Sequence, residues 1–451
     1  MRLTEPEKRE EIHNKAQLIE YFEKGCKPPE RWGVGTEHEK FIFRKGNFKR
    51  VGYNTSPGIY AIFEQMQKKG WKPVMEKDII IGLEKEDASI TLEPGGQYEL
   101  SGKNFKSVNE TFSELRNHFK ELDSICELLG LFSLPLGVDP VSKAEDVPWM
   151  PKERYSWMRK FMPLKGKLGL EMMLNTSAIQ VNLDYGSEKD MITKMRVAQA
   201  LQPVFTAIFA NSPFKAGKSN GYLSYRAHIW DNTDNDRCGF LPFIFDEDFG
   251  FERWVDYLLC VPMYFIYRND QYLSAEGMTF QDFLSGKHNL KPVISDWDIH
   301  VSTVFPDVRL KKFIEMRGAD AGCVDDIAAV AALWVGLLYD SECLEEIYEY
   351  ISGWDITSLR EMRSFVPVKG MNAASGNIHA GEVAKYIYSI ALKGLTKRSE
   401  FLGIEDESRF LEPVREVIES RVTNAEKLLQ KYNGGNYESL KDLLSLLCIQ
   451  N

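Results

Sequence analysis

Alternating apolar and polar residues mark the strands of this chain, most of them in its first three quarters. The segments that follow the two-residue period are 32–44, 78–83, 88–93, 97–100, 170–185 and 310–317. Successive side chains of a strand point to opposite faces, so each segment predicts a strand with two distinct faces. Segments 78–83 and 88–93 are predicted to pair as a hairpin.

Apolar residues spaced three and four apart predict helices, which dominate the last quarter of the chain. Before residue 321 the predicted helices are 14–25, 56–69, 105–129, 187–210 and 250–267. After it they are 324–339, 342–351, 356–364, 377–394, 407–431 and 437–448. Strands and helices do not alternate as parallel βαβ units, so the pattern predicts an α+β fold with an antiparallel sheet.

The chain is expected to form a single domain over residues 1–451, mostly helical from about 321–451. Its short proline and glycine clusters fall between periodic segments, as turns do. No internal repeat, low-complexity segment or long linker divides it.

Composition narrows the possible partners and the compartment. There are 56 Lys and Arg residues against 66 Asp and Glu residues, a net charge of −10, which argues against nucleic acid. No apolar run is long enough to span a membrane, and the charged first residues lack the apolar core of a signal peptide. The seven cysteines form no CxxC pair. They are therefore expected to be reduced thiols of a cytoplasmic protein, without a disulfide framework or a zinc site.

Glutamates are placed in pairs where they could bind a cation. Glu37 and Glu39 share a strand face at a separation of roughly 7 Å. Glu93 and Glu99 flank a tight turn at residues 94–96. Oxygen ligands of this kind suit a hard cation such as Mg²⁺. The structural alternatives are a solvated acidic strand face and a glycine turn with incidental carboxylates.

Three further segments carry polar groups that could serve a site. Gln180 lies on the uncharged polar face of segment 170–185, which either orients a ligand or is half exposed to solvent. Glu315 and Arg317 share a strand face, either as a structural ion pair or as a metal ligand beside a phosphate-binding guanidinium. Arg226 and Arg237 could each clamp a carboxylate or phosphate, or could form salt bridges in a surface loop.

The chain has no Walker A sequence and no nucleophile elbow. Any phosphate chemistry would therefore depend on divalent ions together with Arg and Lys side chains.

Eight segments, in order, resemble the plant-type glutamate–cysteine ligase family, which is also common in proteobacteria. Those that carry the polar groups above are GTEHEKF (35–41), LEPGGQYELSG (92–102), LGLEMMLNTSAIQVNLDY (168–185), SYRAHIWDNTDNDRCG (224–239) and VFPDVRLKKFIEMRGAD (304–320). The resemblance extends from about residue 15 to about residue 435. It implies a glutamine-synthetase-like antiparallel sheet, curved into a funnel and surrounded by helices.

The resemblance also implies an activity and a site. The activity is the ATP-dependent ligation of the γ-carboxylate of L-glutamate to the amine of L-cysteine, the first step of glutathione biosynthesis, with two or three Mg²⁺ ions. The implied metal ligands are Glu37, Glu39, Glu93, Glu99, Gln180 and Glu315. The implied catalytic residues are Arg226 and Arg317, with Arg317 and Arg237 at the nucleotide phosphates and Arg226, Trp230 and Met173 at glutamate.

Two alternatives to this function remain open. One is a carboxylate–amine ligase of the same fold that accepts another amine, and the other is a non-catalytic nucleotide- or glutamate-binding regulator. The positions that match the plant regulatory disulfides hold Phe112 and Ala328, and Ala275 with a residue other than cysteine near Asn289. Regulation by these disulfides is therefore not expected, and a monomer or weak homodimer is.

Overall fold

A computed structural model describes residues 10–275, 277–435 and 439–447 of the protein. The α-helices in these ranges are α1 (Lys15–Glu23), α2 (Ile59–Lys68), α3 (Val108–Leu128), α4 (Glu153–Phe161), α5 (Gly169–Asn175), α6 (Glu188–Ile208), α7 (Tyr225–Asp231), α8 (Phe251–Cys260), α9 (Phe280–Leu284), α10 (Ile294–Ser302), α11 (Val324–Leu338), α12 (Ser341–Ile351), α13 (Ile356–Lys369), α14 (Ala380–Leu402), α15 (Glu412–Ser420), α16 (Asn424–Gly434) and α17 (Leu440–Leu447).

The strands in these ranges are β1 (Val34–Arg44), β2 (Lys72–Glu76), β3 (Ile79–Lys85), β4 (Ala88–Leu92), β5 (Tyr98–Ser101), β6 (Leu131–Leu134), β7 (Ala178–Leu183), β8 (Phe214–Lys215), β9 (Lys218–Ser219), β10 (Cys238–Gly239), β11 (Phe265–Arg268), β12 (Gln271–Ser274), β13 (Phe305–Pro306), β14 (Val308–Leu310), β15 (Ile314–Asp320), β16 (Ala374–Ser375) and β17 (Ile378–His379).

Nine strands of the described chain form one open sheet in the order β14-β15-β7-β1-β5-β4-β3-β2, with β6 beside β1. Every pairing in this sheet is antiparallel. The long strand β1 pairs with β5 and β7 along its first half and with β6 along its second half. The predicted α+β class with an antiparallel sheet is confirmed.

Helices pack against one face of this sheet, and a cavity lies against the other face. Helices α6, α11 and α14 form the larger core with the apolar sides of β7 and β15. Helices α2 and α3 form a second core with the apolar sides of β3, β4 and β5. Alternation along β5 shows the result, because Leu100 packs in this core while Glu99 and Ser101 line a cavity on the opposite face.

Several predicted elements were wrong in extent. Segment 310–317 is not one strand, since it contains the end of β14, residues 311–313 and the start of β15. Segment 170–185 is not one strand, since its first part is helix α5 with buried residues on several sides. Periodicity alone does not distinguish a short buried helix from a strand. Segment 250–267 is helix α8 followed by strand β11, and Pro262 lies between them. Segment 407–431 is divided into α15 and α16 beside Arg421, whose φ is +56°.

Helices α4, α7, α9 and α10 were not predicted from the sequence. The predicted helix 437–448 corresponds to α17, and both of its predicted ends lie outside the described residues.

In the described ranges, no single helix has both the length and the apolar composition of a membrane span. Helices α11 and α12 meet those criteria as a pair, with a bend of 89° between them. Helix α11 is buried in the larger core along almost all of its length.

Candidate active site

A cavity of about 790 Å³ lies against the polar face of the sheet. Strands β1, β3, β4, β5 and β7 form one wall, and residues from α4, α5, α7, β11 and α10 form the other. Of the predicted site residues, eight line this cavity: Glu37, Glu39, Glu93, Glu99, Met173, Gln180, Trp230 and Arg317.

Strand register brings the acidic and amide groups together. Glu39 on β1 stands directly opposite Glu99 on β5, and Glu37 stands opposite Gln180 on β7. Glu37 accepts a hydrogen bond from the amide of Asn182 at 2.8 Å. Glu39 accepts one from the backbone N–H of Ala178 at 3.0 Å. These donors fix both glutamates on the face predicted from their spacing.

Hydrogen bonds and close packing hold the turn before β5, and this turn places Glu93 beside Glu99. Gly96 donates its N–H to the carbonyl of Glu93 at 2.8 Å, at a φ of +79° that favours glycine. A side chain at Gly95 would place its Cβ 2.4 Å from the carbonyl oxygen of Leu174. Gln97 donates to the carbonyl of Thr176 at 2.8 Å and so ties this turn to the region between α5 and β7.

Proximity of these carboxylates makes their ionisation costly. Burial, and then repulsion from Glu99 and Glu93, holds the pKa of Glu39 well above its usual range. Burial, and then repulsion from Glu93 and Glu37, raises the pKa of Glu99 to about 8. A cation among these oxygens would remove much of this cost, so the donor set fits a hard divalent ion.

Within the described residues, no three His, Cys, Asp or Glu side chains stand close enough together to form a metal site by themselves. A Mg²⁺ ion commonly takes one or two carboxylates and completes its octahedron with water and substrate phosphates. These glutamates do not form a complete metal site by themselves. They therefore fit ions whose remaining ligands come from water and from a bound phosphate compound.

Basic residues face the glutamates across the cavity. Lys152 donates to the carbonyl of Leu92 at 3.1 Å, and burial, followed by the charge of Arg154, lowers its pKa to about 8. Arg154 is the second residue of α4, and its Nε has no hydrogen-bond partner within the described residues. Sequence reasoning missed both residues, although they form a Lys-x-Arg pair at a helix start.

Glu315 lies beneath the cavity wall, where the sequence allowed either a structural ion pair or a metal ligand. Its carboxylate contacts Arg309 at 2.7 Å, Lys311 at 3.0 Å and Arg317. Burial alone would raise the pKa of Glu315, but these three cations hold it well below its usual range. Arg309, which the sequence did not single out, supplies the bidentate contact. Glu315 thus anchors Arg317 at the cavity, and its predicted metal contact stays a prediction.

Arg226, Trp230 and Arg317 meet where this cavity adjoins a smaller pocket, and Arg226 lines the smaller pocket only. The guanidinium of Arg226 donates to the carbonyl of Arg317 at 2.8 Å and lies 4.0 Å from Asp320. Both guanidinium groups lie about 6 Å from the ring centre of Trp230, at 5.9 and 5.8 Å. Arg363 also lines the smaller pocket. Two cations beside an indole provide a site for a small carboxylate.

The structure does not bring Arg237 to the cavity wall. This side chain is fully buried and donates to Asp234 at 2.8 Å, to the carbonyl of Thr303 at 3.1 Å and to that of Pro262 at 2.7 Å. It also packs over the ring of Tyr264 at 3.9 Å. Arg237 therefore joins the elements behind the cavity, and its predicted contact with a nucleotide stays a prediction.

Comparison with known proteins identifies relatives over almost the entire chain. The sequence model of the family described as "Glutamate-cysteine ligase family 2" matches residues 33–444. Chloroplastic glutamate–cysteine ligase of Brassica juncea is 45% identical over 436 residues, which are 96% of this chain and 82% of that protein. The chloroplastic enzyme of Arabidopsis thaliana is 45% identical over 436 residues, with 96% and 81% covered.

A solved structure shares the fold. The glutamate–cysteine ligase of Francisella tularensis, in complex with AMP, superposes with a TM-score of 0.54 at 11% sequence identity. The match covers 93% of this chain and 88% of the other. With the family match over residues 33–444 and the relatives at 45% identity, the chain belongs to glutamate–cysteine ligase family 2.

Proposed function

We propose that this protein ligates the γ-carboxylate of L-glutamate to the amine of L-cysteine at the expense of ATP, the first step of glutathione biosynthesis. The observation that carries the proposal is the cavity in which four glutamates face Lys152, Arg154 and Arg317. Family membership and relatives named as glutamate–cysteine ligases give the same activity.

Arg226 and Trp230, with Met173, are proposed to bind glutamate. A guanidinium held by the carbonyl of Arg317 presents its remaining N–H groups in a fixed direction, as a carboxylate ligand requires. The indole N–H of Trp230 has no hydrogen-bond partner in the described ranges and is available as a further donor. This arrangement leaves the γ-carboxylate free to point toward the acidic part of the cavity.

Glu37, Glu39, Glu93, Glu99 and Gln180 are proposed to hold Mg²⁺, with two or three ions in the cavity and with Glu315 as a further candidate. When bound, these ions would offset the negative charge of the phosphates during transfer. The raised pKa of Glu39 and of Glu99 supports the assignment, because carboxylates this close together need a counter-ion to ionise.

The chemistry needs no nucleophile from the protein. An oxygen of the γ-carboxylate attacks the terminal phosphorus of ATP, the bond to the bridging oxygen breaks, and ADP leaves. The amine of cysteine then attacks the acyl carbon of the γ-glutamyl phosphate, phosphate leaves, and the new amide loses a proton. Arg317, Lys152 and Arg154 are proposed to stabilise the phosphate charge, since each lines the cavity.

The test is release of ADP with glutamate, Mg²⁺ and a panel of amines, with the product identified by its mass. Cysteine is expected to give the highest kcat/KM and a product of the mass of γ-glutamylcysteine. If 2-aminobutyrate or alanine is preferred, the alternative function, a carboxylate–amine ligase that accepts another amine, is correct. If no amine releases ADP while glutamate still binds, the protein is a regulator.

We further propose that the protein acts in a reducing, cytoplasmic compartment as a monomer or weak homodimer. The six cysteines in the described residues are free thiols, and Cys448 lies outside them. Fractionation of the source cells and sedimentation of the purified protein test this proposal.

A further inference from the structure

A second cavity, of about 460 Å³, lies on the opposite side of the sheet from the proposed active site. It opens between helix α3 and the β3–β4 hairpin, and Trp71, Leu100 and Phe105 supply its apolar surface. Its volume is within the range of small-molecule sites. Nothing in the proposed ligation uses it.

The charges of this cavity are unbalanced. Glu110, Glu114 and Glu121 lie on one side of α3, at intervals of four and seven residues, which are about one and two helical turns. In the described part of the chain they accept hydrogen bonds from neutral groups: the Ser107 hydroxyl at 2.8 Å, the N–H of Lys103 at 3.2 Å and the indole N–H of Trp71 at 3.1 Å.

The two lysines of the lining offset only part of the charge of these three carboxylates, although the charge of Lys103 acts to lower the pKa of Glu114. Lys103 pairs with Glu86 at the rim of the cavity. Lys85 donates to the carbonyl of Lys69 at 3.0 Å and lies 5.9 Å from the ring centre of Trp71. The contact between Lys85 and Trp71 shows that an ammonium group can lie near this indole ring.

His118 provides a second, independent indication of a ligand. It lines the cavity and is only 4% exposed, yet neither ring nitrogen has a hydrogen-bond partner among the residues that the structure describes. Burial of an imidazole without hydrogen-bond partners is unfavourable, because its polar nitrogens lose their contacts with water and gain none in return. A ligand N–H group that reaches the base of the cavity would remove that cost.

We propose that this cavity binds a small organic ammonium compound with an apolar or aromatic body. The ammonium group is placed between Glu114 and His118, and the apolar body lies against Trp71, Leu100 and Phe105. Desolvation raises the pKa of Glu114, which a neighbouring cation would reverse. The proposal goes beyond the ligase function and holds independently of it.

Tryptamine is a suitable probe, and indole-3-acetate provides the same ring with the opposite charge. In isothermal titration calorimetry, tryptamine is expected to bind the wild-type protein at one site, at least tenfold more tightly than indole-3-acetate. Glu114→Gln is expected to weaken tryptamine binding at least tenfold. Glu127→Gln, an exposed carboxylate further along α3, is the matched control and is expected to leave it unchanged.

Ser113→Phe locates the site, because Ser113 is an exposed residue of the rim whose enlarged side chain fills the cavity. This variant is expected to keep the wild-type melting temperature and ligation rate and to lose tryptamine binding. The proposal is overturned if the wild-type protein does not bind tryptamine, if indole-3-acetate binds equally well, or if folded Ser113→Phe still binds tryptamine.

Discussion

Among single residues, Glu39 shows a conflict between stability and function. Its buried carboxylate stands opposite Glu99, and both have a raised pKa. Glu39→Gln should therefore raise the melting temperature of the EDTA-treated protein while it lowers ligation at least about tenfold. Calorimetry and the ADP assay measure the two effects, with Glu127→Gln as control. Unchanged turnover would disprove the metal assignment.

Arg226 offers a test of the glutamate site. Its guanidinium spans the carbonyl of Arg317 and the vicinity of Asp320, a geometry that an ammonium group does not reproduce. Arg226→Lys should raise the KM for glutamate about tenfold or more and leave the KM for ATP within about twofold, because one fork contact to the carboxylate is lost. Initial rates, measured over a range of glutamate and of ATP concentrations, give the two KM values. Equal increases in the two KM values would instead indicate a general distortion of the cavity.

His300, a buried residue of α10, makes folding sensitive to acid. Its Nε2 lies 2.8 Å from the carbonyl of Leu258, and burial lowers its pKa to about 4. As pH falls below about 6.5, the unfolded chain binds this proton before the folded protein does. The stability present above pH 6.5 is therefore lost toward pH 4, by about 3 kcal/mol.

Denaturant titrations from pH 7 to pH 4 measure this loss. His300→Asn should have a lower free energy of unfolding at pH 7 but a smaller decrease toward pH 4. His38 and His118 remain in the variant, and burial lowers their pKa too, so part of the slope will persist. A slope identical to that of the wild-type protein would show that His300 is not responsible.

At the level of elements, the turn between β4 and β5 positions two glutamates. Gly95→Ala would place a Cβ against the carbonyl of Leu174 at 2.4 Å, so the turn or α5 must shift. We expect a loss of about 1–3 kcal/mol in unfolding free energy, together with reduced ligation. Gly353→Ala is the control, because a Cβ there meets nothing within 4 Å. Similar effects of the two substitutions would contradict the close-packing argument.

The elements also show how far the sequence could predict the site. The spacing of Glu37 and Glu39 placed both on one face, and the structure confirms it. Strand order then decides that Glu99 stands opposite Glu39, and no local pattern contains that information. Arg309 was missed for the same reason, since its role depends on the pairing of β14 with β15. Helix α5 was missed because a short helix that is buried on several sides lacks the three- to four-residue apolar period that marks an amphipathic helix.

For the whole molecule, the two cores explain why one sheet can serve two cavities. The strands present apolar side chains toward the helices and polar side chains toward the proposed active site. On the helix side of the sheet, a second cavity therefore forms where α3 diverges from the β3–β4 hairpin. The C-terminal helices belong to the same structure, because α11 packs on β1 and β7 with side chains that are almost completely buried. A chain shortened before α11 would expose this surface.

The state of the thiols gives a prediction for the complete protein. In the described residues the cysteines are free, and Cys126, Cys238 and Cys343 are buried. Burial raises the pKa of Cys126 and of Cys238 to about 12, so neither is a reactive thiolate near neutral pH. Phe112, one of the positions at which the sequence resemblance would place a cysteine, packs on Phe410.

Dithiothreitol should therefore change kcat and KM by less than about twofold, because the described part of the chain contains no disulfide for it to reduce. Activity is measured after incubation with dithiothreitol and again after its removal, with thiol titration in denaturant to count reduced cysteines. The count should be seven in both samples, as the sequence requires. Two results together would show that a disulfide forms and controls the enzyme. The first is a large loss of rate in dithiothreitol that is reversed when the reductant is removed, and the second is a thiol count below seven in the sample without reductant.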